Sequence, residues 1–205
     1  MAQGLLLKLP SIRPVFGLAS VHAMPSLWLL VALSAAAASS GAADVLPPRP
    51  PSKAAPPKKV ELRASAFVPY YTYKGDLKVS GFVMVVGAGT LSTALQTLSW
   101  RLSNVDPTCA TPPAAGADPN ACGIHIHEGK DCAGNAGEHF YNKALVSTDP
   151  WHAVKYLAVE GSSGVWSTSG DNAKVITGLS MAEVLGHTMV VHNSSGGRIA
   201  CSIVG

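Results

Sequence analysis

The segment Gly123-Ile-His-Ile-His-Glu-Gly129 alternates apolar and histidine side chains with the period of two that is typical of a β-strand. In an extended strand, the side chains of residues i and i+2 project from the same face about 7 Å apart. His125 and His127 can therefore grip one metal ion between them, and imidazole suits copper, zinc, iron and nickel. An isolated pair of this kind is also common on protein surfaces without binding a metal. Other features of the chain are therefore needed to distinguish a metal-binding pair from an ordinary exposed pair.

The same strand rhythm continues on both sides of this segment. From residue 61 onward, runs rich in β-branched and aromatic residues alternate with clusters of Gly, Pro, Asn and Asp, and no long helical period is present. This pattern predicts an all-β fold, an antiparallel sandwich or flattened barrel. The candidate strands are 62–71, 78–87, 92–102, 122–128, 154–160, 164–168, 172–178, 187–193 and 198–204.

The N-terminal region differs in composition from the rest of the chain. Residues 1–43 contain Lys8 and Arg13, no acidic residue, a short apolar run and an alanine-rich end, which is the layout of a signal peptide. An organelle-targeting segment and an uncleaved membrane anchor are the alternatives. Residues 44–60 are rich in proline and predict an extended linker. About 145 residues remain at 61–205, which suits one domain with its own core.

The charge distribution argues against a nucleic-acid partner. The formal net charge is +3, but the basic excess lies in the linker, and residues 61–205 carry slightly more acidic than basic side chains. No membrane contact is expected for the mature domain unless the N-terminal segment stays as an anchor.

Four separated segments resemble the copper/zinc superoxide dismutase family, in that family's order and over roughly residues 62–205. They are Gly-Ile-His-Ile-His-Glu-Gly at 123–129, Cys-Ala-Gly-Asn-Ala-Gly-Glu-His-Phe at 132–140, Gly-His-Thr-Met-Val-Val-His at 186–192 and Gly-Arg-Ile-Ala-Cys-Ser-Ile-Val-Gly at 197–205. The resemblance implies a Greek-key β-sandwich that converts superoxide to dioxygen and hydrogen peroxide. It also implies that Arg198 guides the superoxide anion and that the copper ligands are His125, His127, His139 and His192.

The four cysteines form an even set behind an export-like segment, which favours disulfides over free thiols and a secreted or lumenal location. Of the three possible pairings, the resemblance implies a bridge between Cys132 and Cys201. The other two, Cys109 and Cys122, would then close the proline-containing loop 104–121. Each ligand histidine also needs an acceptor for its second ring nitrogen. Carbonyl groups of the glycine-rich loop 129–137 and the side chain of Glu128 are candidates.

Two features depart from the family pattern. Between His139 and the strand predicted at 154, only Asp149 and His152 remain as candidate zinc ligands, whereas a structural zinc site normally has four protein ligands. We expect this segment to cap or pack the shortened loop, with a weak or partial zinc site as the alternative. In addition, only five residues separate His192 from Arg198, where the family usually has a long charged loop.

These departures favour a copper-only superoxide dismutase with an open site. A copper-binding or copper-delivery module with the same fold and little turnover is the alternative, and a structural domain on a proline-rich stalk is a third interpretation. The sequence does not identify the oligomeric state.

Overall fold

Nine strands form two antiparallel sheets in the computed structural model, which describes residues 58–88 and 95–205. In chain order they are β1 (Lys59–Ala64), β2 (Val68–Pro69), β3 (Ser80–Ala88), β4 (Leu95–Ser103), β5 (Ile124–His127), β6 (Val159–Glu160), β7 (Trp166–Ile176), β8 (Thr188–His192) and β9 (Arg198–Ile203). One sheet has the order β1-β3-β4-β7-β6 and the other β2-β9-β8-β5. In the described ranges, the helical segments are α1 (Met181–Val184) and the 3-10 turns Pro107–Ala110 and Pro150–Ala153. The predicted all-β fold is confirmed.

Four of the predicted strand ranges differ in the structure. The range 62–71 contains β1 and β2, which belong to different sheets, and the range 154–160 contributes only the short β6. The ranges 164–168 and 172–178 form one strand, β7, although Gly170, Asp171 and Asn172, where the two ranges meet, resemble a turn. A β-bulge accommodates these residues, since the pairing register with β4 shifts between Leu98 and Trp100 and Asn172 has a φ of 60°.

The predicted targeting segment 1–43 lies outside the described residues. So does the linker prediction for 44–57, and β1 begins at Lys59, inside the range 44–60 that we assigned to the linker. None of the helices in the described ranges is long and apolar enough to span a bilayer.

The main hydrophobic core takes side chains from both sheets. Val83 and Leu98 come from one sheet, while Ile124, Ile126 and Val191 come from the other, and all five side chains are fully buried. Each such side chain stabilises the fold by about 1.5–3 kcal/mol relative to an exposed position. The alternation in β5 therefore places its isoleucines in the core and its histidines on the opposite face of the sheet.

That opposite face is also covered. All residues of β5 and β8 are buried, and a second, smaller apolar cluster joins Tyr70, Ala136, Val190 and Cys201. The covering segments are the loop that follows β5 and the chain between β2 and β3. The histidine face of the sheet is thus enclosed by loops rather than open to solvent.

Both predicted disulfides are present. Cys132 and Cys201 are 5.7 Å apart between Cα atoms, and Cys109 and Cys122 are 5.8 Å apart. The first bridge ties the loop after β5 to β9, and the second closes the loop before β5. Two disulfides in one domain indicate an oxidising compartment.

Candidate metal centre

The four predicted ligand histidines lie together on the covered face of the four-stranded sheet. One ring nitrogen from each of them falls within a group whose members all lie within 4.8 Å of one another. Their side chains are almost completely shielded from solvent, with exposed fractions of 0% to 6%. Such a buried cluster could hold a metal ion. Its members are His125, His127, His139 and His192.

Backbone pairing brings the histidines into register. His125 and His127 lie in β5, which pairs antiparallel with β8, and His192 is the last residue of β8. The His192 N–H donates to the carbonyl of Gly123 over 2.9 Å. The loop after β5 then folds back so that His139 forms an isolated β-bridge with His127. Three histidines thus belong to the sheet, and the fourth comes from a loop that returns to it.

The second ring nitrogen of each histidine has a hydrogen-bond acceptor. These acceptors are three backbone carbonyls and one carboxylate, none of which can donate, so the bonded ring nitrogen carries the proton. The nitrogen that faces the cluster consequently has a free lone pair. The pairs are His125 Nε2 with Val154 O at 3.2 Å, His127 Nδ1 with Gly137 O at 3.0 Å, His192 Nδ1 with Gly196 O at 2.8 Å, and His139 Nδ1 with Asp149 Oδ2 at 2.6 Å.

This lone-pair arrangement fits a cation with nitrogen ligands. The Nε2 atoms of His127 and His192 lie 3.3 Å apart although neither has a proton to donate to the other. The Nδ1 atom of His125 is buried without a hydrogen-bond partner among the described residues. Buried polar atoms normally have partners, and a metal that prefers imidazole would use all of these lone pairs at once.

Electrostatics keeps the rings neutral. Burial lowers the pKa of His125 well below its usual range, lowers that of His127 to about 2 and lowers that of His192 to about 4. Burial also lowers the pKa of His139, although the hydrogen bond that this ring donates to Asp149 acts in the opposite direction. Neutral imidazole is the form that binds metals, so the histidines are ready to act as ligands at physiological pH.

Arg198, the first residue of β9, lies next to the cluster. Burial is the largest cause of the lowered pKa of His127, His139 and His192, and the positive charge of Arg198 is a further, smaller cause. The Arg198 Nη2 donates to the carbonyl of Gly137 over 2.6 Å, and this same carbonyl accepts from His127. The structure therefore brings together Arg198 and the histidines, as the sequence predicted.

The segment 149–152 forms a capped turn, which is the structural role that we expected for it. The Asp149 Oδ1 accepts the Trp151 N–H over 2.9 Å and so begins the turn Pro150–Ala153. The other carboxylate oxygen, Oδ2, binds His139 and lies 3.6 Å from His152 Nε2. Asp149, His152 and His139 form a second group that could hold a metal ion, one residue short of the four ligands of a closed zinc site. The weak zinc site stays a prediction.

Several residues around the cluster are not evident from the sequence. The expected carbonyl from loop 129–137 is that of Gly137, but the Glu128 carboxylate faces Lys143 at 3.7 Å instead. Tyr70 and Asn135, which contact Arg198, carry no motif that marks them. Tyr70 lies 128 residues away from its partner in the chain, so no local pattern could reveal this contact.

No protein-family model matches this chain, and the comparison with curated proteins finds no match either.

Proposed function

We propose that this protein is a copper-dependent superoxide dismutase. The observation that carries the proposal is that four buried imidazole nitrogens lie within 4.8 Å of one another beside Arg198. The residues that would hold the ion are His125, His127, His139 and His192. An all-nitrogen donor set favours copper over the oxygen-preferring cations Mg²⁺ and Ca²⁺. The order of the four similar segments supports the same assignment.

Bound copper would supply one-electron chemistry, in which one superoxide is oxidised to dioxygen and a second is reduced, with two protons, to hydrogen peroxide. The protein's own part is to bind and orient. No carboxylate forms an ion pair with Arg198 among the described residues, so its positive charge is not compensated locally. A guanidinium without a counter-charge attracts a small anion to the edge of the site and favours superoxide over neutral molecules.

Asp149 supports the proposed function by orienting the ring of His139. Its carboxylate accepts the Nδ1 proton of His139 and thereby holds the Nε2 lone pair of that ring toward the cluster. A carboxylate behind a ligand imidazole orients the ring and raises its basicity. His139 can therefore serve as a copper ligand without a zinc ion on its other nitrogen.

The alternative function is copper binding or delivery with little turnover. The short connection between His192 and Arg198, together with the three-residue group at Asp149, favours it, because the family's steering loop and full zinc set are both missing. Against it, the ligand rings are almost fully buried, which hinders direct transfer of the metal to a partner.

The decay of superoxide in the presence of the oxidised, copper-loaded protein, prepared once without zinc and once with it, separates these functions. We expect fast decay without zinc. Decay only with zinc would mean that the group around Asp149 completes the site. Tight copper binding without decay would instead support the binding module.

A further inference from the structure

The guanidinium of Arg198 is held by three acceptors that carry no charge. Its Nη1 donates to the hydroxyl of Tyr70 over 2.8 Å and to the Oδ1 of Asn135 over 2.9 Å, and its Nη2 donates to the Gly137 carbonyl over 2.6 Å. These bonds use three of the five N–H groups of the guanidinium. The Nε–H and one Nη2–H have no acceptor among the described residues.

Tyr70 is itself fixed from several directions. Its backbone N–H donates to the Ile199 carbonyl over 3.1 Å, which continues the pairing of β2 with β9. The ring is 4% exposed and packs in the small cluster with Ala136 and Cys201. Its hydroxyl also accepts the Ala136 N–H over 3.1 Å. A phenol oxygen held this firmly is a rigid acceptor, unlike a surface side chain.

Asn135 completes the arrangement from the disulfide-anchored loop. Its Oδ1 accepts the Gly137 N–H over 3.1 Å as well as the Arg198 proton, so the side chain both shapes the loop and contacts the arginine. Neutral acceptors restrict the guanidinium without cancelling its charge, whereas a carboxylate at the same place would form an ion pair. The choice of Tyr and Asn therefore suits an arginine that must remain available to an anion.

We infer that Tyr70 and Asn135 are positioning residues that hold Arg198 with its two remaining N–H groups free for a small anion. Among the described residues, neither side chain forms a hydrogen bond with the four histidines, so both act through the arginine. The inference deepens the proposed function, because superoxide is the anion only if the protein is a dismutase. The holding of Arg198 itself does not depend on turnover.

Nitrogen-15 NMR of the metal-free full chain measures this holding directly. A fixed guanidinium gives separate Nη–H signals, because its C–N rotations are slow, and a free one gives averaged signals. We expect separate signals for Arg198, and averaged signals with exchange about tenfold faster in the double variant Tyr70→Phe with Asn135→Ala, because two hydrogen bonds are lost. Arg101, whose Nη2 lies 2.9 Å from Asp171 Oδ2, is an internal reference: its signals should be the same in the wild type and in every variant.

Two further variants separate positioning from folding. Asn135→Asp keeps an acceptor oxygen for both Gly137 and Arg198 but adds a negative charge, so the guanidinium should stay fixed. Tyr71→Phe is the matched control, because the Tyr71 side chain is 45% exposed and makes no hydrogen bond among the described residues. It should leave the Arg198 signals unchanged.

Azide titration of the copper-loaded proteins supplies a second measurement that does not need turnover. Azide affinity should fall about two- to tenfold in Tyr70→Phe and in Asn135→Ala. Azide affinity should fall further in Asn135→Asp, where the arginine is fixed but its charge is compensated by the added carboxylate. It should remain unchanged in Tyr71→Phe.

Unchanged Arg198 signals in the double variant, or equal azide affinity in all variants, would overturn the positioning role. If the wild-type protein holds Arg198 in this way but leaves superoxide intact, the proposed function fails while the positioning role stands. If superoxide is removed fast but the Arg198 signals respond to neither substitution, the positioning role fails while the proposed function stands.

Discussion

The two halves of the candidate metal centre are held in different ways. The strand half consists of His125, His127 and His192, which lie in β5 and β8 and are placed by the hydrogen-bond ladder between these strands. The side-chain half consists of His139, which comes from a loop, and Arg198, whose long side chain extends beyond the start of β9. Both halves contribute to one site, but their supports are of different chemical kinds.

The second ring nitrogens show this difference most clearly. In the strand half, all three histidines donate to backbone carbonyls, which no single side-chain substitution can remove. In the side-chain half, His139 depends on the carboxylate of Asp149, and Arg198 depends on Tyr70 and Asn135 for two of its three bonds. Substitutions around the site should therefore impair the side-chain half selectively, whereas the strand half should respond only to loss of its own histidines or to their protonation.

The largest expected effect comes from a ligand of the strand half. His127→Ala should reduce copper-dependent superoxide removal to background, because it deletes one of four donors, while the sheet still folds on its unchanged core. His152→Ala is the matched control, since His152 belongs to the group around Asp149, and it should keep most of the copper-dependent activity. Superoxide decay and circular dichroism on both variants check this, and full turnover in His127→Ala would refute the ligand assignment.

Acid should destabilise the metal-free protein through the histidines of the strand half. Unfolded histidine binds a proton near pH 6.5, whereas the folded pKa values are about 2 for His127 and about 4 for His192. Between pH 6.5 and 4 the unfolded state thus binds more protons at these two histidines, so their contribution should lower the stability of the metal-free protein as the pH falls. Each of these histidines adds a slope of about 1.4 kcal/mol per pH unit.

Urea unfolding of the metal-free protein at several pH values between 7.5 and 4 measures that slope. The variant His127→Ala lacks one of the histidines whose pKa is lowered. Its free energy of unfolding should therefore fall less steeply with falling pH than that of the wild type. An identical slope in the two proteins would show that His127 is protonated in the folded state.

Asp149 tests the side-chain half at His139. Asp149→Ser keeps an oxygen that can cap the turn at Pro150–Ala153 but removes the carboxylate that binds His139, so fold stability should change little. Copper affinity should fall about 10- to 100-fold, as for other residues that orient a ligand imidazole. Competition with a chelator of known affinity gives the value, and an unaltered affinity would mean that backbone pairing alone places His139.

The smallest of these effects is expected at Arg198. Arg198→Ala should slow superoxide capture by about tenfold and make the rate less sensitive to ionic strength, because one local positive charge is lost. Arg198→Lys should recover part of the salt dependence while losing the fork geometry. Rates measured from low to high salt decide the point, and a rate that does not change in Arg198→Ala would identify the arginine as an ordinary surface charge.

Prediction from the sequence succeeded where the pattern is local. The period of two in 123–129 places His125 and His127 on one face, and β5 occupies that segment. It failed at 62–71, where one continuous run of strand-forming residues divides between two sheets, and at Gly170-Asp171-Asn172, where a bulge carries β7 through residues that usually form a turn. Local propensity cannot show which neighbour a strand will find, and the neighbour decides both outcomes.

By itself, the strand periodicity of the sequence predicted the all-β character of the chain and the same-face pair His125 and His127, because periodicity is a property of short segments. The prediction of His139, His192, Arg198 and the Cys132–Cys201 pairing came from the resemblance of four segments to a known family. Only the tertiary structure decided how the site is held. The contacts of Tyr70 with Arg198 and of Asp149 with His139 cross between segments that pack together only in the folded chain. Hydrogen bonds of this kind depend on distances of about 3 Å, and the fold, not the spacing of residues along the chain, sets those distances.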